Sequence, residues 1–222
     1  MSGAPRSVFL IALGDTAEQL HPAVRRYVAG PEQPGEVGVG EGVFEVAGSR
    51  FGKWNLLLRP FVGKHLLVSS RETDVPFTVV NRPEAPPKSP ALYATRTFRF
   101  RDGEQAFTDV LVPATEPHTL RNRLGDSKRV ELELRCWVSG DGHLRLSSRR
   151  AWLRLGRLAV RLPRLLGVQV DVQDGFDEGT GRQTIVATVR NPIMGTVLEY
   201  RGSFVYHYEV AGTERPPVEP RA

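Results

Sequence analysis

From Thr196 to Val210 the chain alternates without a break. Thr196, Leu198, Tyr200, Gly202, Phe204, Tyr206, Tyr208 and Val210 fall on one face. Val197, Glu199, Arg201, Ser203, Val205, His207 and Glu209 fall on the other. A period of two held this long specifies one strand with an aromatic-rich face and a mostly polar face. A second extended run, from Arg182, leads into it through Asn191-Pro192 and Gly195. A two-stranded ribbon is not stable in water, so the rest of the chain must supply further strands or a helix to cover the apolar face.

The chain supplies them. Strands are predicted over 36–48, 76–81, 94–100, 107–112, 119–124, 129–138, 143–155, 157–162 and 168–174. Arg101-Asp102-Gly103 and Ser139-Gly140-Asp141-Gly142 are hairpin turns. Val130, Leu132, Leu134, Cys136 and Val138 alternate with Glu131, Glu133 and Arg135, which sets their strand with its apolar side inward. Along 143–155 the apolar phase slips from Leu144 and Leu146 to Ala151, Leu153 and Leu155, the mark of a β-bulge near Ser147-Ser148. About nine or ten strands linked by hairpins make an antiparallel meander, and a sheet that wide curls or closes.

Two segments read as helical. Residues 15–30 place Leu20, Val24, Tyr27 and Val28 on one face, with Pro22 at a favourable first-turn position. Residues 51–68 carry Trp54, Leu56, Leu57, Leu58, Phe61 and Val62, broken by Pro60 and Gly63. That segment reads as a buried, kinked helix or two short helices, with a membrane-surface helix as the alternative. The expected fold is therefore a β-rich α+β domain, a curved antiparallel sheet or half- or full barrel, with N-terminal helices packed on or in it. Residues 1–14 read as an N-terminal extension, 15–210 as one domain, and the proline-rich 211–222 as a disordered tail.

Composition narrows the chemistry. The net charge of +5 invites a nucleic-acid reading. The arginines, however, alternate along strands instead of forming a block, so no nucleic-acid partner is expected. A single cysteine, Cys136, excludes an intrachain disulfide framework and a cysteine-based zinc site, and its phase makes it a core residue. His21, His65, His118, His143 and His207 are isolated from one another, so no metal is expected. Gly38-x-Gly40-x-Gly42 lacks dinucleotide-binding spacing, and neither a phosphate-binding P-loop nor a G-x-S-x-G elbow is present, so no cofactor is expected. The apolar run Val8–Leu13 is too short for a signal peptide, and no run approaches the ~18 residues of a membrane span. A cytoplasmic location is expected.

Two faces of the 196–210 strand compete as the site. If the polar face lines a barrel, Glu199 and His207, beside Arg201 and Ser203, form a polar cluster suited to proton transfer. If it is the solvated face, Tyr200, Phe204, Tyr206 and Tyr208 point inward and make a ligand wall with hydroxyl donors set in apolar surface. Trp54 and His21 are further candidate ligand contacts. The arginines at 145, 149, 150, 154, 157, 161 and 164 form a basic ribbon that can steer an anionic ligand, an acidic partner or phosphates, or simply be a solvated outer face.

Several landmarks recur in a recognisable order. They are His21-Pro22 with Arg25-Arg26; Gly42-Val43-Phe44-Glu45-Val46; Trp54; Val75-Pro76-Phe77-Thr78-Val79; Phe98-Arg99-Phe100; Arg123-Leu124-Gly125; Leu162-Pro163; and Asn191-Pro192-Ile193-Met194-Gly195 before Tyr200-Arg201-Gly202. Together they resemble an actinobacterial domain of unknown function, numbered four-one-six-six, that also occurs attached to short-chain-dehydrogenase-like domains. The resemblance spans roughly residues 15–208 and carries no catalytic residues with it. The expected function is binding of a hydrophobic, oxygen-bearing small molecule in specialised metabolism, extending to a cofactor-independent cyclase or isomerase. The alternative is a non-catalytic module that docks on a dehydrogenase-like or other enzyme.

Overall fold

The computed structural model describes residues 7–49, 68–84, 89–156, 158–163 and 167–212. Among them lie two short α-helices, α1 (Val8–Leu13) and α2 (Pro22–Ala29), joined by a 3-10 turn over Gly14–Gln19. The strands are β1 (Glu36–Gly48), β2 (Arg71–Pro83), β3 (Leu92–Phe100), β4 (Gly103–Pro113), β5 (Thr119–Leu124), β6 (Val130–Val138), β7 (Leu144–Leu155), β8 (Leu158–Arg161), β9 (Gln169–Asp177), β10 (Arg182–Asn191) and β11 (Gly195–Val210).

Every pairing is antiparallel. β1 to β7 pair in chain order, β7 pairs β9, β9 to β11 follow in order, and β11 returns to β1. The sheet is thus a closed ten-stranded barrel with one extra strand. β7 serves two partners in turn: Leu144–Ser147 face β9, while Trp152–Leu155 face β8. Between them Ser148 substitutes for a ladder rung, accepting from the Val170 amide at 2.8 Å. The expected bulge is there, where pairing jumps from Glu133–Arg150 to Leu134–Ser148 and leaves Arg149 without a partner.

The strands extend beyond their sequence-based limits. β2 begins at Arg71, five residues before the expected Pro76, because its first residues continue the β1 ladder beyond the bulge between Phe44 and Val46. The helix expected over 15–30 is two pieces, since Pro22 ends the 3-10 turn and starts α2 with His21 as its cap. Val8–Leu13 is itself a helix whose Val8, Phe9, Ala12 and Leu13 are buried. Of the expected helix over 51–68, only Val68 is among the described residues, and it is buried. Residues 51–67 and 213–222 lie outside them.

The helices plug one end of the barrel. The His118 amide donates to the Ala12 carbonyl at 2.9 Å, the His21 amide to the Gly142 carbonyl at 2.9 Å, and the Tyr208 hydroxyl reaches the Arg26 carbonyl at 3.0 Å. Their apolar residues join Leu111, Leu120, Leu132, Leu134, Cys136 and Leu144 in one core cluster. A second cluster, richer in aromatics, gathers Phe44, Phe77, Phe98, Phe100, Tyr200 and Phe204. Phe44 stacks on Phe77 with ring centroids 3.6 Å apart and lies 5.1 Å from Tyr200.

A row of glycines makes room for those rings. Gly38, Gly40 and Gly42 of β1 face Tyr208, Tyr206 and Phe204 of β11 across the ladder. A Cβ on Gly38 would fall 1.8 Å from the Tyr206 hydroxyl oxygen, and one on Gly42 would fall 2.1 Å from the Ser203 carbonyl. The second contact is with backbone, which cannot rotate away. Gly42→Ala should therefore destabilise the protein by about 2 kcal/mol or more. Gly140→Ala, where a Cβ meets nothing within 4 Å, should stay within about 0.5 kcal/mol of the parent. Urea unfolding of both variants checks this, and equal midpoints would refute it.

Candidate functional site in the barrel lumen

The strand phases decide what the lumen contains. On β11 Tyr200 and Phe204 are buried and Tyr206 and Tyr208 half-buried, all on the inward face. Tyr27 of α2 reaches down to them, edge-on to Tyr206 with centroids 4.6 Å apart and to Phe204 at 5.6 Å. Asn81 of β2 donates to the Tyr206 hydroxyl at 3.1 Å.

Charged residues share this interior. Arg96 lies in the inward phase of β3 with Ala94 and Phe98, and Asp109 in the inward phase of β4 with Leu111. The two meet at 2.5 Å with Asp109 nearly inaccessible. Burial alone would lower the Arg96 pKa, but the adjacent Asp109 carboxylate outweighs it and holds the guanidinium charged. Asp174 of β9 sits between Leu144 and Ile185 in the ladder, both buried. Burial raises its pKa to about 7, against a smaller opposing pull from Arg96. Burial likewise raises the hydroxyl pKa values of Tyr27, Tyr200 and Tyr206, and the field of Asp174 adds to each.

Three buried oxygens face this interior without a hydrogen-bond donor among the described residues: Asn122 Oδ1, Asp174 Oδ1 and Gln183 Oε1. The Gln183 amide nitrogen is occupied, donating to the Ala23 carbonyl at 3.0 Å. An unpartnered buried oxygen costs about 1–3 kcal/mol, and an unpaired buried carboxyl is the group that a purely structural interior avoids. At the plugged end lies a narrow cavity of about 30 Å3, lined by Tyr27, Val28, Asn81, Leu92, Tyr206 and Tyr208 and by none of the three residues that carry these oxygens.

The residues expected from sequence divide along the same phases. Tyr200, Phe204, Tyr206 and Tyr208 are together on the lumen wall. Glu199 and His207 occupy the opposite phase and point outward, where Glu199 accepts from Arg71 at 2.5 Å and His207 lies 3.3 Å from Glu209. His21 is at the plug's edge, stacked on Phe176 at 5.2 Å and 2.8 Å from Glu178. Trp54 is outside the described residues. Arg96, Asp109, Asp174, Asn81 and Tyr27 were not anticipated. Their signal is a polar residue standing in phase with apolar ones, as Asp174 stands between Val172 and Phe176. Cys136 is fully buried and its thiol is pushed up to about 12 by burial, which makes it a packing residue. Among the described residues no group of three or more His, Cys, Asp or Glu could hold a metal ion, and no helix is long and apolar enough to cross a membrane.

Residues 20–204 match the family described as Domain of unknown function (DUF4166). The chain belongs to this family. It is also similar to a Bacillus subtilis (strain 168) protein named "Uncharacterized protein YndH", 28% identical over 161 residues, covering 72% of this chain and 78% of that one. The matched span holds α2, the glycine row and the lumen residues named above except Tyr206 and Tyr208, which follow it, while α1 lies ahead of it.

Asp174 also makes a stability signature. Between pH about 4 and 7 the unfolded chain loses the Asp174 proton while the folded state keeps it, so stability falls as pH rises. The loss reaches at most about 1.4 kcal/mol per pH unit, is absent below the unfolded pKa, and is complete above pH 7. Asp174→Asn should remove this component and be at least as stable as the parent at pH 8. Urea unfolding of both proteins at pH 5 and pH 8 checks it, and an unchanged difference between the two pH values would refute the assignment.

Proposed function

We propose that the barrel binds a small, oxygen-bearing organic molecule in its lumen, against the aromatic face of β11. The observation that carries the reading is the presence, in a lumen walled by aromatic rings, of Arg96 and of three buried oxygens without a donor among the described residues, one of them on Asp174. Rings supply apolar contact area, and a few placed polar groups fix orientation, which is how small-molecule sites are usually built. The ligand chemistry follows from those groups. Donorless acceptors call for hydroxyl or amine hydrogens, and Arg96 and the tyrosines offer donors to carbonyl or ether oxygens. A hydrophobic skeleton carrying such oxygens suits both.

The cavity of about 30 Å3 holds roughly one water. In this reading α2 withdraws from Tyr206 and Tyr208 to admit the ligand, releasing the Gln183 and Tyr208 bonds to its carbonyls. The reading extends to a proton-transfer reaction without a cofactor, an isomerisation or ring closure. Asp174 then moves the proton, because a carboxyl with a pKa near 7 is present in both forms at neutral pH. The role expected of Glu199 and His207 passes to it, since both of those reach partners on the outer face.

A second reading has its own observation. β8 exposes Leu158 and Val160 and, among the described residues, is paired only along β7, which is the form of an edge that accepts a strand from another protein. Native mass spectrometry of the purified protein separates the two. A co-purifying small molecule present in the parent and lost in Asp174→Asn and Tyr206→Phe, both folded by circular dichroism, is the expected result. A molecule retained equally by all three proteins, or a stoichiometric partner chain with no small molecule, would overturn the lumen reading.

A further inference from the structure

We propose a second ligand site on this barrel, apart from the lumen, that takes the phosphate group of a small phosphomonoester. It is the cavity of about 410 Å3 beside the plug, whose lining includes Gln19, His118, Arg135, Trp137 and Arg149 and no carboxylate. That volume is within the range of small-molecule sites, about 300–1,000 Å3. The site rests on different residues from the lumen reading and stands or falls separately.

Its charge is uncompensated. Elsewhere on the outer face several arginines meet carboxylates: Arg150 lies 3.5 Å from Glu133, Arg154 2.9 Å from Glu131, and Arg123 3.1 Å from Glu131. Neither Arg135 nor Arg149 has an ion pair with a described residue. Arg149 is the extra residue of the β7 bulge. A bulge re-aims a side chain out of the ladder, and here it turns one arginine of the basic ribbon away from the row of glutamates and into the cavity. Arg135 is held in place by the Trp137 ring, 5.6 Å from its guanidinium. The same indole offers a flat apolar wall for the organic part of an ester.

His118 is the third basic group. Its backbone is left-handed, φ +55°, which costs a non-glycine residue on the order of 1 kcal/mol or more. The surroundings enforce it: the amide donates to the Ala12 carbonyl at 2.9 Å, and the carbonyl accepts from the Cys136 amide at 2.8 Å. The backbone that carries the imidazole is therefore held from both sides. Thr16 and Thr119 already donate to the Leu13 and Pro117 carbonyls, so the remaining side-chain donors on the lining are Gln19, His118, the Trp137 indole N–H and the two guanidinium groups. Several convergent donors of this kind match a phosphate with three free oxygens better than a carboxylate with two, and guanidinium forks suit phosphate bidentately.

Titration calorimetry of the whole chain with phenyl phosphate at low ionic strength tests this, with benzoate and inorganic phosphate as comparators. The expected result is saturable one-site binding of phenyl phosphate, at least tenfold tighter than either comparator. Arg135→Ala and Arg149→Ala should each weaken it tenfold or more. Both side chains are exposed, so both variants should keep the parent's thermal midpoint. His118→Gly relieves the backbone and removes the imidazole, and should weaken binding while leaving stability equal or higher. Arg161→Ala, an exposed arginine of the same ribbon outside the cavity, should bind as the parent does. No saturable binding, parent-like affinity in Arg135→Ala or Arg149→Ala, an equal loss in Arg161→Ala, or benzoate bound as tightly as phenyl phosphate would each overturn the proposal.

Discussion

Closing ten strands into a ring creates an interior wider than the strands' own side chains readily fill, since about eight strands already give a lumen that side chains just occupy. Much of this protein follows from that excess. The plugged end is filled by α1, the 3-10 turn and α2, whose Leu13, Val24 and Val28 pack among Leu120, Leu134 and Leu144. Further along the barrel the filling is aromatic: Phe44, Phe77, Phe98 and Phe204 cross the lumen in stacked and edge-on pairs. Rings this large need a wall without side chains beside them, and the Gly38, Gly40 and Gly42 row of β1 is that wall. Glycine weakens an isolated strand, and here the loss is offset by the rings that lie over it.

Between the two apolar clusters lies the polar group of Arg96, Asp109 and Asp174. Arg96 and Asp109 satisfy each other, so the pair is self-consistent even where water is scarce. Asp174 has no such partner among the described residues, and burial between Leu144 and Ile185 favours its neutral form. A core of the same volume with Asn or Leu there would hold together without that penalty. A buried acid that does not serve stability is the kind of group the proposed lumen site would use.

The outer face works differently. Glu131 gathers Arg121, Arg123 and Arg154, and Glu133 meets Arg150, so buried carboxylates neutralise four of the arginines near β6 and β7. One irregularity breaks this pattern. The bulge that lets β7 leave β9 and pick up β8 also throws Arg149 out of register. Topology and surface chemistry thus share one cause: a single extra residue in one strand.

The period-two alternation of β6, β7 and β11 determined, from sequence alone, that this is an antiparallel sheet of many strands, and even placed the β7 bulge. Local patterns of this kind are legible because a strand's two faces are set by adjacent residues. Which face of β11 points inward was not legible, because both alternatives satisfy the same alternation. Closure decided it, turning Tyr200, Phe204 and Tyr206 to the lumen and Glu199 and His207 to the outside. The helix at Val8–Leu13 escaped for a related reason: six residues carry too little periodicity, and burial against β4, β5 and β6 is what stabilises it. The lumen cluster was beyond sequence altogether. Tyr27, Arg96, Asp109 and Asp174 come from four separate elements, and only the curvature that brings β3, β4 and β9 around one axis under α2 puts their charges within reach of one another.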